Sequence, residues 1–179
     1  MREEELLTIV RAQEDQIRAQ QFEAAYFWDW QGTLLFRKEG EIKRITFSDE
    51  EIARMKGTVA THNHPHGWNF SASDPRRAGY GFSGKDVRLA CLASLRLLRV
   101  VTPTLRYMIK PPPEGWDAAY WEQVIQPSYQ RVIFEVRREL WAKVQARQIL
   151  QARAEVQFRY LTWLRVAAEL GLEYSQEDF

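Results

Sequence analysis

The three histidines of the chain, His62, His64 and His66, fall within five consecutive positions. On an extended segment, residues two positions apart point to the same side, so His62 and His64 can direct their imidazoles toward one point. Neutral imidazole is the commonest metal ligand among side chains. The spacing therefore predicts a metal site in this stretch. The alternative is a polar loop whose histidines are only solvated.

A mononuclear hydrolytic metal site needs three protein ligands, an open position for water, and a base that accepts a proton from that water. The third ligand must be a carboxylate, because neither the third histidine nor the sole cysteine is suitably placed. Two aspartates qualify, Asp74 and Asp86, and a serine precedes each by three positions, Ser71 and Ser83 respectively. We favour Asp86, because Ser83 can cap a long helix and hold Asp86 in its first turn. Asp74 is followed by a proline and glycines, which indicate a loop.

Glu23 is the best candidate for the base. It lies on a predicted strand, on the same face as Ala25 and Phe27, where a carboxylate has no solvation reason to be. Burial raises the pKa of a carboxyl group toward a value that is useful for proton transfer. The alternative is a residue at the end of a strand whose side chain reaches water.

These residues resemble the motif of the JAMM (JAB/MPN) zinc metalloproteases, in particular a compact bacterial and phage-associated branch that includes RadC-like domains. That motif is a glutamate on an early strand, then His-x-His-Pro, then Ser-x-x-Asp at the start of a helix. The segment from His62 to Pro65 matches its central element, and the resemblance covers about residues 22–110. The spacing departs from the family pattern of seven residues between proline and serine. Here Ser71 follows Pro65 after five residues and Ser83 after seventeen.

The resemblance implies an α+β fold of the JAMM (cytidine-deaminase-like) type, a mixed sheet flanked by helices, followed by a helical C-terminal extension. It implies a zinc ion held by His62, His64 and an aspartate, for which Asp86 is our choice. It also implies that Glu23 is the general base and that Ser83 helps to hold the tetrahedral intermediate. The implied function is hydrolysis of peptide or isopeptide bonds by metal-activated water, with a protein or peptide as the substrate.

Two other classes of function stay open. A non-catalytic, phage-related structural or interaction module could retain the fold, and a metal-free purified protein would favour it. A metal-dependent nuclease of the HNH type is disfavoured, because those enzymes spread histidine, asparagine and histidine over a hairpin and a helix. Here the three residues are consecutive.

The composition limits the location and partners that we expect. The chain has 179 residues, of which 45% are hydrophobic, enough to bury one core. A net charge of +1 gives no support for nucleic-acid binding. No run approaches the ~18 apolar residues of a membrane span, and no targeting segment is evident, so we expect a cytoplasmic protein. The single cysteine, Cys91, lies in an apolar run and fits a buried thiol in a reducing compartment.

The elements that position these residues follow from hydrophobic periodicity and from turn residues. The first half of the pattern predicts an amphipathic helix over 2–20, strands over 22–30, 33–36 and 42–47, a short helix over 49–56 capped by Ser48 and Glu51, and a strand over 58–61. An irregular segment, 66–82, follows the histidines. The second half predicts a buried helix over 86–98 and strands over 99–102 and 105–110.

The triple proline Pro111-Pro112-Pro113 is the one plausible domain boundary. We therefore expect a metallohydrolase domain with its N-terminal helix over 1–113, and a helical extension over 114–179 that packs on this domain or on a partner. The extension carries two apolar stripes, which predict tight association within the chain or in a homodimer. Gly171 is expected to end the last helix.

Overall fold

A six-stranded mixed sheet forms the centre of this computed structural model, in which residues 2–41 and 45–179 are described. The strands are β1 (Ala24–Trp28), β2 (Leu34–Glu39), β3 (Val59–Asn63), β4 (Leu97–Val101), β5 (Leu105–Lys110) and β6 (Glu173–Asp178). Their order across the sheet is β2-β1-β3-β4-β5-β6. Strands β3 and β4 pair in parallel, and the other neighbours pair antiparallel.

Helices flank this sheet, so the chain has a mixed α+β fold. They are α1 (Glu3–Ile17), α2 (Asp49–Arg54), α3 (Gly84–Leu92), α4 (Ala118–Tyr120), α5 (Gln126–Gln145) and α6 (Gln151–Leu170). One π-helical turn, Trp121–Ile125, joins α4 to α5, and α5 packs against α6 as a hairpin. Within the two described ranges, no helix is long and apolar enough to cross a membrane.

The central strands are buried on both faces, and each face of the sheet has its own core. One core joins Leu6 and Val10 of α1 to Tyr26 and Trp28 of β1. The opposite core contains Phe27 of β1 together with buried side chains of α3, α5 and α6. Because successive side chains of a strand point to opposite faces, β1 contributes alternately to the two cores.

A buried ion pair connects α1 to the sheet. Glu14 and Arg99 are both fully buried, and Arg99 Nε donates to Glu14 Oε1 at 2.6 Å. Thr61 Oγ1 donates to the same carboxylate oxygen at 3.0 Å, and Arg106 Nε lies 3.2 Å from Glu14 Oε2. Since Thr61 directly precedes His62, this network fixes α1 against the strand that carries the first histidine. The sequence pattern assigned no role to this network.

Several predicted elements are confirmed. The hairpin of β1 and β2 turns through Gly32, whose φ of 83° favours glycine. The short helix α2 has the predicted capping box, in which the N–H of Glu51 donates to Ser48 Oγ at 3.3 Å and the N–H of Ser48 donates to the Glu51 carboxylate at 2.8 Å. Gly171 ends α6 in the left-handed conformation.

Three predicted elements differ from the structure. The helix predicted over 86–98 is too long, because α3 ends at Leu92 and Leu97 begins β4. A short apolar run has the same pattern in a buried helix and in a buried strand, which explains the error. The strand predicted over 42–47 lies partly outside the described residues, and residues 45–47 are not in a strand. The chain also ends in β6 rather than in a helix. This edge strand is polar and half-exposed, so it has no hydrophobic alternation.

We expect Arg99→Met to lower the free energy of unfolding by about 3–5 kcal/mol, because it leaves the Glu14 carboxylate buried without its main partner. The matched control is Arg96→Met, since Arg96 is exposed just before the same strand. Urea denaturation of the two variants measures the difference. Equal unfolding midpoints would contradict the importance given to the buried pair.

Candidate metal centre

The two histidines of the predicted site lie at the carboxyl end of β3. His62 is within the strand, and the N–H of His64 donates to the carbonyl of Val101 on β4 at 2.7 Å, which keeps the chain extended. The Nε2 atoms of His62 and His64 are 3.0 Å apart. The two imidazoles, at alternate positions of one extended segment, therefore meet at one point.

Asp86 joins this pair from the first turn of α3. Its Oδ1 lies 3.7 Å from His62 Nε2, and its Oδ2 lies 3.7 Å from His64 Nε2. Ser83 is the N-cap of the helix: its Oγ accepts from the N–H of Asp86 at 3.3 Å, and its own N–H donates to Asp86 Oδ2 at 2.5 Å. This reciprocal capping box holds the carboxylate in the orientation that faces the histidines.

The geometry of the three side chains fits a metal ion. Tetrahedral zinc with bonds of about 2.0–2.1 Å places two ligand atoms about 3.3 Å apart. The two Nε2 atoms are 3.0 Å apart, and each lies 3.7 Å from a different oxygen of Asp86. With one ligand atom from each residue, the three atoms lie within 4.8 Å of one another. Among residues 2–41 and 45–179, no other group of three or more His, Cys, Asp or Glu side chains meets the same requirement. The side chains are 12–19% exposed, so solvent reaches the site.

The protonation of the histidines also suits metal binding. His64 Nδ1 lies 2.8 Å from the carbonyl of Tyr80, so it carries the proton and leaves the Nε2 lone pair to face the other ligands. Burial lowers the pKa of His64, and burial together with His64 lowers the pKa of His62 to about 4. Burial alone would raise the pKa of Asp86, but the two imidazoles and the N–H of Ser83 outweigh it and hold that pKa below its usual value. At neutral pH the site thus offers two neutral imidazoles and one carboxylate.

Asp74, the other aspartate considered from the sequence, lies outside this group of three. It caps a 3₁₀ turn, Pro75–Ala78, and accepts from the backbone N–H of Arg76 at 2.8 Å. The guanidinium of Arg76 also donates to both of its oxygens, at 3.0 and 2.7 Å. Ser71 does not accompany it as a cap for a helix, since its Oγ lies 3.3 Å from Ser73 Oγ. The structure therefore brings Asp86 and Ser83 to the histidines.

Glu23 lines the same cleft, a cavity of about 850 Å³ that also contains the three candidate ligands. It lies one residue before β1, and its N–H donates to the carbonyl of Glu41 at 3.2 Å. Burial and the negative charge of Asp86 raise the pKa of Glu23 to about 7, against the opposing charge of Arg159. Within the described ranges its half-buried carboxylate makes no ion pair. It is therefore placed to exchange a proton near neutral pH.

Asn63 binds the backbone on both sides of Glu23, a role that the sequence pattern did not predict. It is fully buried; its Oδ1 accepts from the N–H of Ala24 at 2.6 Å, and its Nδ2 donates to the carbonyl of Phe22 at 2.9 Å. These two backbone groups flank Glu23 directly. The polar residue between the two histidines thus ties the histidine strand to the segment of the candidate base.

The C-terminal helices supply a wall of the cleft, which the sequence motif also did not reveal. Tyr129 of α5 and Arg159 of α6 both line it. Helices α3 and α5 pack closely at Gly84, where an added Cβ atom would lie only 2.8 Å from the ring of Tyr129. The irregular segment after the histidines is also packed in place. Trp68 Nε1 donates to the carbonyl of Arg18 at 2.6 Å.

Comparison with known proteins adds no further information, since no protein-family model, no curated protein and no solved structure matches the chain. The chemistry of the cleft is therefore inferred from its own residues. They combine three ligand atoms within 4.8 Å of one another with a carboxyl group that titrates near neutral pH.

We expect Asp86→Asn to weaken zinc binding by more than about a hundredfold, because it removes the one charged ligand. Loss of a residue that only orients a ligand lowers metal affinity by about 10–100-fold, and loss of a ligand itself should cost more. Asp74→Asn is the matched control and should bind zinc normally, since Arg76 engages its carboxylate. Competition with a chromophoric chelator measures both affinities. The reverse pattern would identify Asp74 as the ligand.

The raised pKa of Glu23 predicts a pH-dependent stability of the metal-free protein. The pKa of Glu23 is about 7 in the folded state and has its ordinary value of 4.5 in the unfolded state, so the folded state binds more protons between pH 4.5 and pH 7. The resulting stabilisation is fully present below the lower value and is lost as the pH rises through the higher one. In Glu23→Gln the free energy of unfolding should therefore fall less between about pH 5 and pH 8 than in the wild type. Parallel curves from urea denaturation at each pH would contradict the burial of this carboxyl group.

Proposed function

We propose that the chain is a zinc-dependent hydrolase of peptide or isopeptide bonds. The observation that carries this proposal is the presence, in one cleft, of the His62, His64 and Asp86 group and of Glu23 with a pKa of about 7. Catalytic zinc sites use three protein ligands and keep the remaining position for water or substrate. The resemblance to the JAMM metalloproteases suggests the same ligands and the same base.

The carboxyl group of Glu23 favours hydrolysis over the oxygenase chemistry that a site of two histidines and one carboxylate can also support. Two histidines and one carboxylate also hold iron in non-haem oxygenases. Hydrolysis, in contrast, requires a group that takes a proton from water and later gives it to the leaving amine. A carboxyl group beside the metal site can serve both transfers, and in the metal-free protein burial and the charge of Asp86 raise the pKa of Glu23 to about 7.

Each residue then has a defined task in the proposed reaction. A bound zinc ion would lower the pKa of water toward ~7 and polarise the substrate carbonyl. Glu23 accepts the proton of the attacking water and transfers it to the leaving nitrogen. Ser83 lines the cleft beside Asp86, and in this proposal its hydroxyl donates to the developing oxyanion.

Glu23→Gln tests this proposal directly. Gln keeps the volume of the side chain but cannot accept the proton, so zinc content should stay the same while amide hydrolysis falls about a hundredfold or more. A fluorescence-quenched peptide library serves as the substrate. The matched control is Glu39→Gln, because Glu39 is an exposed residue of β2 outside the cleft.

Four outcomes would contradict the proposal. Full activity in Glu23→Gln would mean that this carboxyl group is not the base, and loss of zinc would make it a ligand. Equal zinc in the wild type and in His64→Ala, measured by elemental analysis, would rule out the metal centre. A protein that carries no zinc and hydrolyses nothing would support a non-catalytic module instead.

A further inference from the structure

Arg159 of α6 places a cationic group in the cleft of the candidate metal centre. One of its donors, Nη1, binds the carbonyl of Gly81 at 3.2 Å, and its guanidinium lies 5.6 Å from the centre of the Tyr80 ring. Its charge lowers the pKa of both Glu23 and His64. The guanidinium is therefore close to the reacting centre and is held on a rigid helix.

The guanidinium of Arg159 has no carboxylate within 4.0 Å among the described residues. Other arginines of this region have acidic partners: Arg76 pairs with Asp74, and Arg165 pairs with Glu139. Glu155, one helical turn before Arg159, lies toward Arg76 instead. A guanidinium has five N–H donors, so most of those on Arg159 are free for a ligand.

The charges of the cleft favour an anionic ligand. Its basic residues are Lys85, Arg88 and Arg159, whereas its acidic residues are Asp86 and Glu23. The basic side chains outnumber the acidic ones by one, and this excess of positive charge attracts ligands of the opposite sign.

We propose that Arg159 binds a carboxylate of the substrate, so that the preferred substrates are peptides with a free carboxylate close to the scissile amide. The planar guanidinium matches a carboxylate through two parallel hydrogen bonds, a geometry that a lysine cannot provide. The carboxylate belongs either to a C-terminus or to an acidic side chain. This inference rests on the proposed hydrolase function and gives the C-terminal helices a part in specificity.

Tyr80 couples this subsite to the metal ligands. Its carbonyl accepts from His64 Nδ1, and its ring lies beside the guanidinium of Arg159. Arg159 and His64 therefore contact the same residue, Tyr80, from the subsite and from the candidate metal centre respectively. The scissile amide of such a substrate has to lie near the carboxylate, which favours short separations between the two groups.

The test uses metal-free full-length protein and three small probes, so that no carboxylate can bind to a metal ion. The probes are N-acetyl-dialanine, its neutral C-terminal amide, and N-acetyl-aspartyl-alanine amide, which carries its carboxylate on a side chain. Binding is measured by NMR titration for the wild type, Arg159→Gln and Arg153→Gln. Arg153 is an exposed residue of the same helix outside the cleft, so its variant controls for the lost charge.

The wild type should bind at least one carboxylate probe about tenfold or more tightly than the neutral amide, as expected for a charge-assisted hydrogen-bonded pair. Arg159→Gln should lose this preference, and Arg153→Gln should keep it. The probe that binds identifies the source of the carboxylate. If Arg159→Gln does not fold, Arg159→Lys replaces it and should lose most of the preference, because it lacks the planar fork.

Equal binding of the three probes by the wild type, or no binding of any, would overturn the proposal. Survival of the preference in the Arg159 variant would overturn it as well. Because no metal is present, these results are independent of zinc content and of the activity lost in Glu23→Gln. A failed subsite is therefore distinguishable from a failed hydrolase.

Discussion

Strands β3 and β4 run parallel, and this pairing places the candidate metal centre. A parallel pair needs a crossover, and here the crossover contains α3. The helix must return toward the start of β4, so its N-terminus lies at the carboxyl end of β3, where His62 and His64 are found. Ser83 and Asp86 occupy the first positions of that helix. Candidate ligands from a strand and from the helix that follows it thus meet because of one strand pairing.

Alternate residues of strand β3 and its extension either anchor the strand to neighbouring segments or face the candidate metal centre. Thr61 donates to Glu14 of the buried ion pair, and Asn63 holds the backbone on both sides of Glu23. His62 and His64, at the alternate positions, meet Asp86 in the cleft. Because the polar anchors and the candidate ligands alternate along one strand, the position of each histidine is fixed by its neighbours. Preorganised ligands lose little conformational freedom when a metal ion binds.

The part of the site that could be predicted is local in sequence. Spacing alone placed His62 and His64 on one side of a strand. The helix predicted to begin at Ser83 favoured Asp86 as the third ligand, because Asp74 is followed by a proline and glycines. The contributions of Tyr80 and Arg159 could not be predicted. A backbone carbonyl leaves no sequence signal, and an arginine on an amphipathic helix has the same pattern whether it faces solvent or a cleft. Strand β6 was missed because an exposed edge strand lacks hydrophobic alternation.

X-ray absorption spectroscopy at the zinc edge of the metal-loaded protein tests the central claim most directly. We expect nitrogen and oxygen ligands at about 2.0–2.2 Å with the scattering of two imidazoles, and of one imidazole in His64→Ala. This result would establish that the two histidines of β3 hold the metal as the structure arranges them. A spectrum without imidazole scattering, or one with a sulfur ligand at about 2.3 Å, would place the metal elsewhere and contradict the account.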